Sequence, residues 1–412
     1  MKFTFKSTVA ACALIASSGA SWADCGIESG SVRILSNDFE ALHAVADAAA
    51  TCASATVEVT ANATEEHKNL QVPALTSNPA TYTVAVVASN SILPLLNDDL
   101  IRPLDDYVAK WGGQLQENQL IRIDGKIMAI AFMANAQHLF YRKDILEANG
   151  IAVPTTYAEM MAAAQKLHDA GVMDTPIASS YMPGWNLAAE FVNSYLSTGN
   201  EFFVPGTAEL AINNADGLAV LETMKAMTGY MYSDWATYDA NSQKPVWEAG
   251  EIALAINWGS RAGAFIGDES SAPDIAAQTA LAAAPAMSEG GLPSAALWWD
   301  GFTIAKNISD EDAEASFRAM MVGVSPEMMA KHADAAVWLI KGYEPTPAAV
   351  GVIADVDQGA RPYPMVPYMG LLHTALGDNL IEYLQGKESA EQAMADITAA
   401  YNAAATEAGY LK

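Results

Sequence analysis

The chain has 412 residues, 51% of them hydrophobic, and sets 48 acidic side chains against 21 Lys and Arg. That length exceeds one ordinary hydrophobic core, so two domains are expected. A net charge of −27 opposes binding to nucleic acid or an anionic membrane, since both need Lys and Arg against phosphate.

The first residues read as an export signal. Lys2 and Lys6 supply a positive start, Ser7 to Ala16 are mostly apolar, and Ser21-Trp22-Ala23 places small residues around a cleavage site. Residues 1–23 are therefore expected to be a signal peptide, with the mature chain starting at Asp24 in the periplasm. No later apolar run is long enough to span a bilayer. Cys25 and Cys52 remain after cleavage. Two cysteines in an oxidising compartment most simply form a disulfide, with two buried thiols as the alternative.

Val32 to Leu35 reads as a strand. Phe39 to Thr51 reads as an amphipathic helix with Leu42, Val45, Ala46 and Ala49 on one face. Ala55 to Thr60 is a second strand, Glu65 to Leu75 is helical, and Tyr82 to Ala88 is the continuous β-rich run of a buried parallel sheet. This alternation is one half of a doubly wound α/β sheet, in which ligands sit at the carboxyl ends of strands. The loops of interest are thus Ser36-Asn37-Asp38, Ala61-Asn62-Ala63 and Ser89-Asn90-Ser91.

Lys126 to Met133 is an apolar strand that breaks at Ala134 and Asn135. A short amphipathic helix carrying Phe140-Tyr141-Arg142-Lys143-Asp144 follows. Thr156 and Glu159 form a T-x-x-E capping box for a further helix, which stops at Gly171. Thr175 to Ser180 is a strand feeding the loop Tyr181 to Trp185. Ala219 to Met227 is helical, and Ile252 to Asn257 is a strand followed by Trp258-Gly259. Ala280 to Pro285 and Leu297 to Ala305 lead back to the first half. Ser309 to Met321 is a helix with an acidic first turn. Ser325-Pro326 marks a new helix start, and helices dominate from there to Gly409, including one opened by Ser389 with Gln392.

Three blocks carry a resemblance. The first is Gly125 to Gly171 with its crossover Asn135, Tyr141-Arg142-Lys143-Asp144, Gly150, Pro154 and Thr156-Tyr157-x-Glu159. The second is Pro245 to Gly259, PVWEAGEIALAINWG. The third is Gly359 to Tyr368, GARPYPMVPY. In this order they resemble the extracellular solute-binding proteins of family 1, which feed sugars to ABC importers. The chain departs from the family pattern at Arg142, at Tyr157, and after the first strand, where Ser36-Asn37-Asp38 stands in place of paired aromatics and Gly.

The resemblance implies an α/β, bilobed periplasmic-binding-protein-like fold of type II, with two doubly wound sheet lobes joined by a hinge. Lobe 1 is expected at 24–133 plus 286–325, and lobe 2 at 134–285 plus 326–412. Crossings should fall near Met133–Asn135, Ala284–Ala286 and Val324–Pro326. It further implies a monomer that captures a sugar, oligosaccharide or polyol by hinge closure and hands it to ABC permease subunits in the inner membrane.

Recognition of such a solute takes aromatic faces for the C–H side of a pyranose, and carboxylates, amides or Arg for its hydroxyls. Tyr181 and Trp185 flank a loop that supplies a stacking aromatic in the family. Trp258 follows a strand, as cleft residues do in relatives. In Trp298-Trp299-Asp300 one Trp is expected inside and the other at the cleft, because strand side chains alternate faces; Trp299 is the preferred cleft residue. Asn37, Asp38 and Glu40 follow the first strand, where Asp38 also suits a helix N-cap. Asn62 and Glu65 follow the second strand, Asn90 the third, and Asn135 the crossover. Arg361, Tyr363 and Tyr368 lie in the Pro-rich late segment, where a rigid loop suits a bidentate Arg.

Catalysis finds little footing. The six His show no metal spacing, Glu66-His67 reads as a solvated helix pair, and Gly259-Ser260-Arg261-Ala262-Gly263 has the wrong offset for a nucleophile elbow. No nucleotide-binding glycine motif appears, so no cofactor is expected. Two carboxylates separated only in space would still allow an exported carbohydrate-active enzyme, which is the alternative reading.

Overall fold

The computed structural model describes residues 25–267 and 270–412, so the expected leader lies outside the described residues. The first five strands are β1 (Gly30–Ser36), β2 (Val57–Ala63), β3 (Val84–Ala88), β4 (Leu120–Ile123) and β5 (Lys126–Asn135). Next come β6 (Gln137–Arg142), β7 (Ile177–Ala178), β8 (Leu254–Trp258) and β9 (Thr279–Ala282), followed by β10 (Ala296–Ile304), β11 (Val337–Trp338) and β12 (Arg361–Pro362).

Two sheets result. The larger runs β11-β5-β10-β3-β1-β2, with β4 added to β5 and β12 to β10; the smaller runs β7-β8-β6-β9. In the larger sheet β1 is parallel to β2 and β3, and β10 is antiparallel to β3 and β5. β-branched runs such as VAVVA in β3 are buried on both faces because helices cover both sides. Glu40–Ala50 packs Leu42, Val45 and Ala49 into the same apolar cluster as Ile34, Phe302 and Phe317. A disulfide joins Cys25 to Cys52, which staples the segment before β1 to the end of that helix.

A single residue, Ala136, separates β5 from β6, so the chain passes between the sheets within one peptide step. β10 makes the return. Its Ala296 and Trp298 belong to the core of the smaller-sheet lobe, while Phe302 and Ile304 belong to that of the larger-sheet lobe. A hydrogen-bond chain ties both passages together. Gln137 Nε2 donates to Glu190 at 3.1 Å, Asn193 Nδ2 donates to Gln137 Oε1 at 2.6 Å, and the Ala296 N–H donates to Asn193 Oδ1 at 3.0 Å.

Local readings differ from the structure in four places. Phe140-Tyr141-Arg142 extends β6 rather than opening a helix, because Leu139 and Phe140 are buried between β8 and β9; the helix starts at Lys143. Thr156 does cap its helix by accepting from Glu159 N–H at 3.1 Å, but the Glu159 carboxylate accepts from Thr155, so the box is not reciprocal. Neither later passage falls where expected. The chain is still bound to the smaller-sheet lobe at Ala284–Ala286, where Ala286 exchanges backbone hydrogen bonds with Thr155 and Tyr157, and it crosses only within β10. The third passage does not fall at Val324–Pro326. Met328, Met329 and Trp338 stay in the larger-sheet core and β11 pairs with β5, so the chain leaves that lobe only beyond Trp338. These large apolar side chains find burial beside Phe132, whose ring lies 6.5 Å from that of Trp338.

Candidate functional site

A cleft of about 640 Å³ opens where the two lobes meet. Its floor is the passage itself. Asn135 lines it, but its amide is fully used: Nδ2 donates to Ser260 Oγ, and Oδ1 accepts from the backbone N–H groups of Ala136 and Ser260, all at 3.1 Å.

One wall is aromatic. Trp185 stacks on Trp258 with ring centroids 5.9 Å apart and tilts against Trp298 at 5.7 Å. Packing fixes these rings from behind. Tyr363 lies 4.1 Å from Trp298, centroid to centroid, and its hydroxyl donates to His373 Nδ1 at 3.3 Å. His373 Nε2 in turn donates to the Trp185 carbonyl at 3.0 Å, and its ring stacks on Trp185 at 5.2 Å. Burial holds His373 down to about 3, so it is neutral and keeps this tautomer. Trp185 opens the helix Trp185–Ser197 after Gly184, which has φ +91° and accepts no other residue without strain. Gly377 permits the close approach: a Cβ there would sit 2.5 Å from the Gly184 carbonyl.

The other wall is polar. Asn37, Glu65, Glu66 and Lys68 come from the ends of β1 and β2 and the start of the helix His67–Thr76, and Asp300 comes from β10. The Asp300 carboxyl makes no ion pair among the described residues, and burial pushes it up to about 7 against the pull of Lys68 and Arg261. Burial likewise lowers Lys68 to about 8, with Asp300 opposing. His67 is not solvated as the sequence suggested. It is buried and held down to about 4, first by desolvation and then by the charge on Lys68.

Three contacts cross the cleft. The Lys68 ammonium lies 3.7 Å from the centroid of the Trp185 ring, the Arg261 guanidinium lies 5.1 Å from that of Phe39, and Asn241 Nδ2 donates to Glu65 Oε1 at 2.5 Å. The indole N–H groups of Trp185 and Trp298 and Arg261 Nε are buried with no acceptor among the described residues. Desolvation depresses Arg261 as well, against the surrounding carboxylates.

Of the residues singled out in the sequence, Asn37, Glu65, Asn135, Trp185, Trp258, Trp298 and Asp300 meet at this cleft. The preference for Trp299 over Trp298 is reversed. Trp298 and Asp300 are two apart and share the cleft face, whereas Trp299 packs behind the sheet beside Val87, Ile92 and Met128. Tyr181 is buried with its hydroxyl near Met227 Sδ. Tyr363 backs Trp298 instead of facing the cleft, and the Tyr368 hydroxyl donates to the Thr207 carbonyl at 2.7 Å. Arg361 bonds the Asn200 carbonyl and pairs with Glu201. β2 runs on to Ala63, so Asn62 lies within a strand and donates to the Tyr82 hydroxyl at 2.8 Å. Asp38 pairs with His43 at 2.7 Å, and Glu40 opens its helix outside the cleft lining. Asn90 lies two residues beyond Ala88, which does line the cleft.

Sequence reasoning missed Lys68 and Arg261, and it missed the second-lobe groups Asp239, Asn241, His373 and Asp378. Among the described residues no helix is long and apolar enough to cross a membrane, and no group of His, Cys, Asp and Glu is placed to hold a metal ion.

The profile of a family described as bacterial extracellular solute-binding protein matches residues 36–321. A probable ABC transporter-binding protein of Deinococcus radiodurans is 28% identical over 194 residues, which are 45% of this chain and 44% of that relative; the match thus spans less than half of the relative's length. Among solved structures, maltose-bound MalE3 of T. maritima superposes with a TM-score of 0.78 at 19% identity, covering 91% of this chain and 99% of that one. A ribitol complex of an ABC transporter solute-binding protein from Agrobacterium radiobacter K84 gives 0.76 at 17% identity, covering 90% and 98%.

Proposed function

The chain belongs to the bacterial extracellular solute-binding proteins, and on that premise we propose that it captures a sugar, oligosaccharide or polyol in the periplasm. The solute is gripped by closure of two lobes and delivered, unchanged, by a monomer to the permease subunits of an ABC importer. The observation that carries this reading is the pairing of unlike walls across one cleft. Trp185, Trp258 and Trp298 offer ring faces, while Asp300 and Asn37 offer groups for hydroxyls. That fold-level relatives hold maltose in one case and ribitol in another supports the same class.

Closure follows from differential contact. A solute that touches the aromatic wall and the polar wall together gains both sets of interactions only when the lobes approach, so it shifts the population towards the closed form. A micromolar dissociation constant corresponds to about −8 kcal/mol. Stacked rings and several charge-assisted hydrogen bonds can supply this after ordering costs.

The test is a thermal-shift panel on the mature chain. Neutral sugars and polyols should raise Tm and amino acids should not; success of amino acids with failure of every sugar refutes the assignment. Incubation with chromogenic glycosides should release no chromophore, and steady turnover would replace a carrier with an enzyme.

A further inference from the structure

The Lys68 ammonium lies against the aromatic wall, over the ring of Trp185. Lys68 stands in the first turn of the helix His67–Thr76. That helix is locked to the larger sheet by Gln71, whose Nε2 donates to the Val86 carbonyl at 2.8 Å. Trp185 belongs to the opposite lobe and is fixed there by His373. The lysine therefore reaches across the cleft, and its ammonium settles 3.7 Å from the ring centroid. It has no carboxylate within ion-pair distance among the described residues, although Asp300 acts on it at longer range. A cation over a desolvated Trp face is attracted by the ring quadrupole, and one group cannot share that face with a sugar ring.

We propose that Lys68 is a tethered competitor: its ammonium latches one lobe onto Trp185 of the other, and a solute must displace it in order to stack. The lysine then sets a threshold for which solutes are accepted. A weakly stacking polyol does not clear it, whereas a pyranose ring that covers the whole indole does. The competition rests on the solute-binding reading above. The latch itself, a contact between lobes, does not.

Three variants separate charge from bulk. Lys68→Ala removes both, and Lys68→Met keeps most of the stem without the charge, while Lys68→Arg keeps a cation. The mature chain and each variant are titrated with maltose and with ribitol by intrinsic Trp fluorescence, and small-angle scattering is recorded with no sugar added. Lys68→Ala and Lys68→Met should bind whichever probe the parent binds about threefold to thirtyfold more tightly. The sugar-free Lys68→Ala protein should show a larger radius of gyration than the parent, and Lys68→Arg should match the parent in both respects. Weaker or unchanged binding by the neutral variants overturns the proposal, since Lys68 would then touch the solute or nothing. If neither probe binds any of the proteins, the solute assignment is at fault, and scattering alone decides the latch: an unchanged radius in Lys68→Ala overturns it.

Discussion

The two walls of the cleft are built in opposite ways. The aromatic wall is an outgrowth of a packed core. Trp258 and Trp298 are buried, Tyr363 and His373 hold the rings from behind, and Gly184 against Gly377 fixes the helix that presents Trp185. The polar wall is made of strand ends and a helix start, and its Lys68 and Asp300 carry charge with no close ionic partner. One wall is shaped before any solute arrives, because core packing leaves its side chains few alternatives. The other carries groups whose hydrogen bonds are still to be made. Affinity for ring-shaped solutes should therefore reside mostly in the first wall, and discrimination among hydroxyl patterns in the second.

Removing the centre of the aromatic wall should have the largest effect. Trp185→Ala is expected to weaken sugar binding about a hundredfold, since a half-buried indole facing the cleft contributes both area and stacking. Isothermal titration reads this, and a loss below threefold would place the affinity elsewhere. On the lobe that carries the polar wall, opening the disulfide with Cys25→Ser and Cys52→Ser should lower unfolding free energy by about 3 kcal/mol through loop-closure entropy. Denaturant titration in parallel with the parent measures it.

Glu190 tests whether the aromatic lobe also stabilises the passages between lobes. Burial pushes its carboxyl up to about 7, against hydrogen bonds from Gln137 Nε2 and the Ser180 N–H. The unfolded chain ionises it near the ordinary value of 4.5, so the unfolded state loses its proton first as pH rises. The parent should then lose about 2 kcal/mol relative to Glu190→Gln between pH 4.5 and 7. Buried His67, His138 and His373, all held low, act in the opposite direction over much of that range, so the difference between the two proteins is the proper readout. A pH-independent difference would contradict the raised carboxyl.

The smallest effect is expected at Asp300. Asp300→Asn should weaken sugar binding about fivefold at pH 8, where the parent carboxylate accepts strong hydrogen bonds. The difference should shrink by pH 6, because burial raises Asp300 to about 7 and the parent is then largely neutral too. A constant ratio across that range would remove Asp300 from solute contact.

Much of the aromatic wall was legible in the chain, because a Trp directly after an apolar strand, as at Trp258, has only a strand end to occupy. The Asn135 crossover was legible for the same reason: an apolar run broken by a polar residue. Parity was not. Choosing between Trp298 and Trp299 needs the phase of β10, which its pairing with Asn135 fixes through Trp298, and no local pattern supplies that. The cations were hidden more deeply. Lys68 follows Glu65-Glu66-His67, and a charged helix start reads as solvent-facing until another lobe is laid over it. Arg261 lies among glycines that invite comparison with a nucleophile turn. Arg361 and Tyr368, conspicuous in a Pro-rich loop, are spent on local contacts with Glu201 and Thr207. Residues whose role depends on the opposite lobe are the ones a linear reading loses.

Small-angle scattering of the mature parent chain, with and without a saturating sugar or polyol that raises its Tm, tests lobe closure most directly. The radius of gyration should fall as solute is added, with a midpoint matching the dissociation constant from Trp fluorescence. Superimposable profiles at saturation would mean that the two walls do not move towards one another, and the account of capture by closure would be wrong.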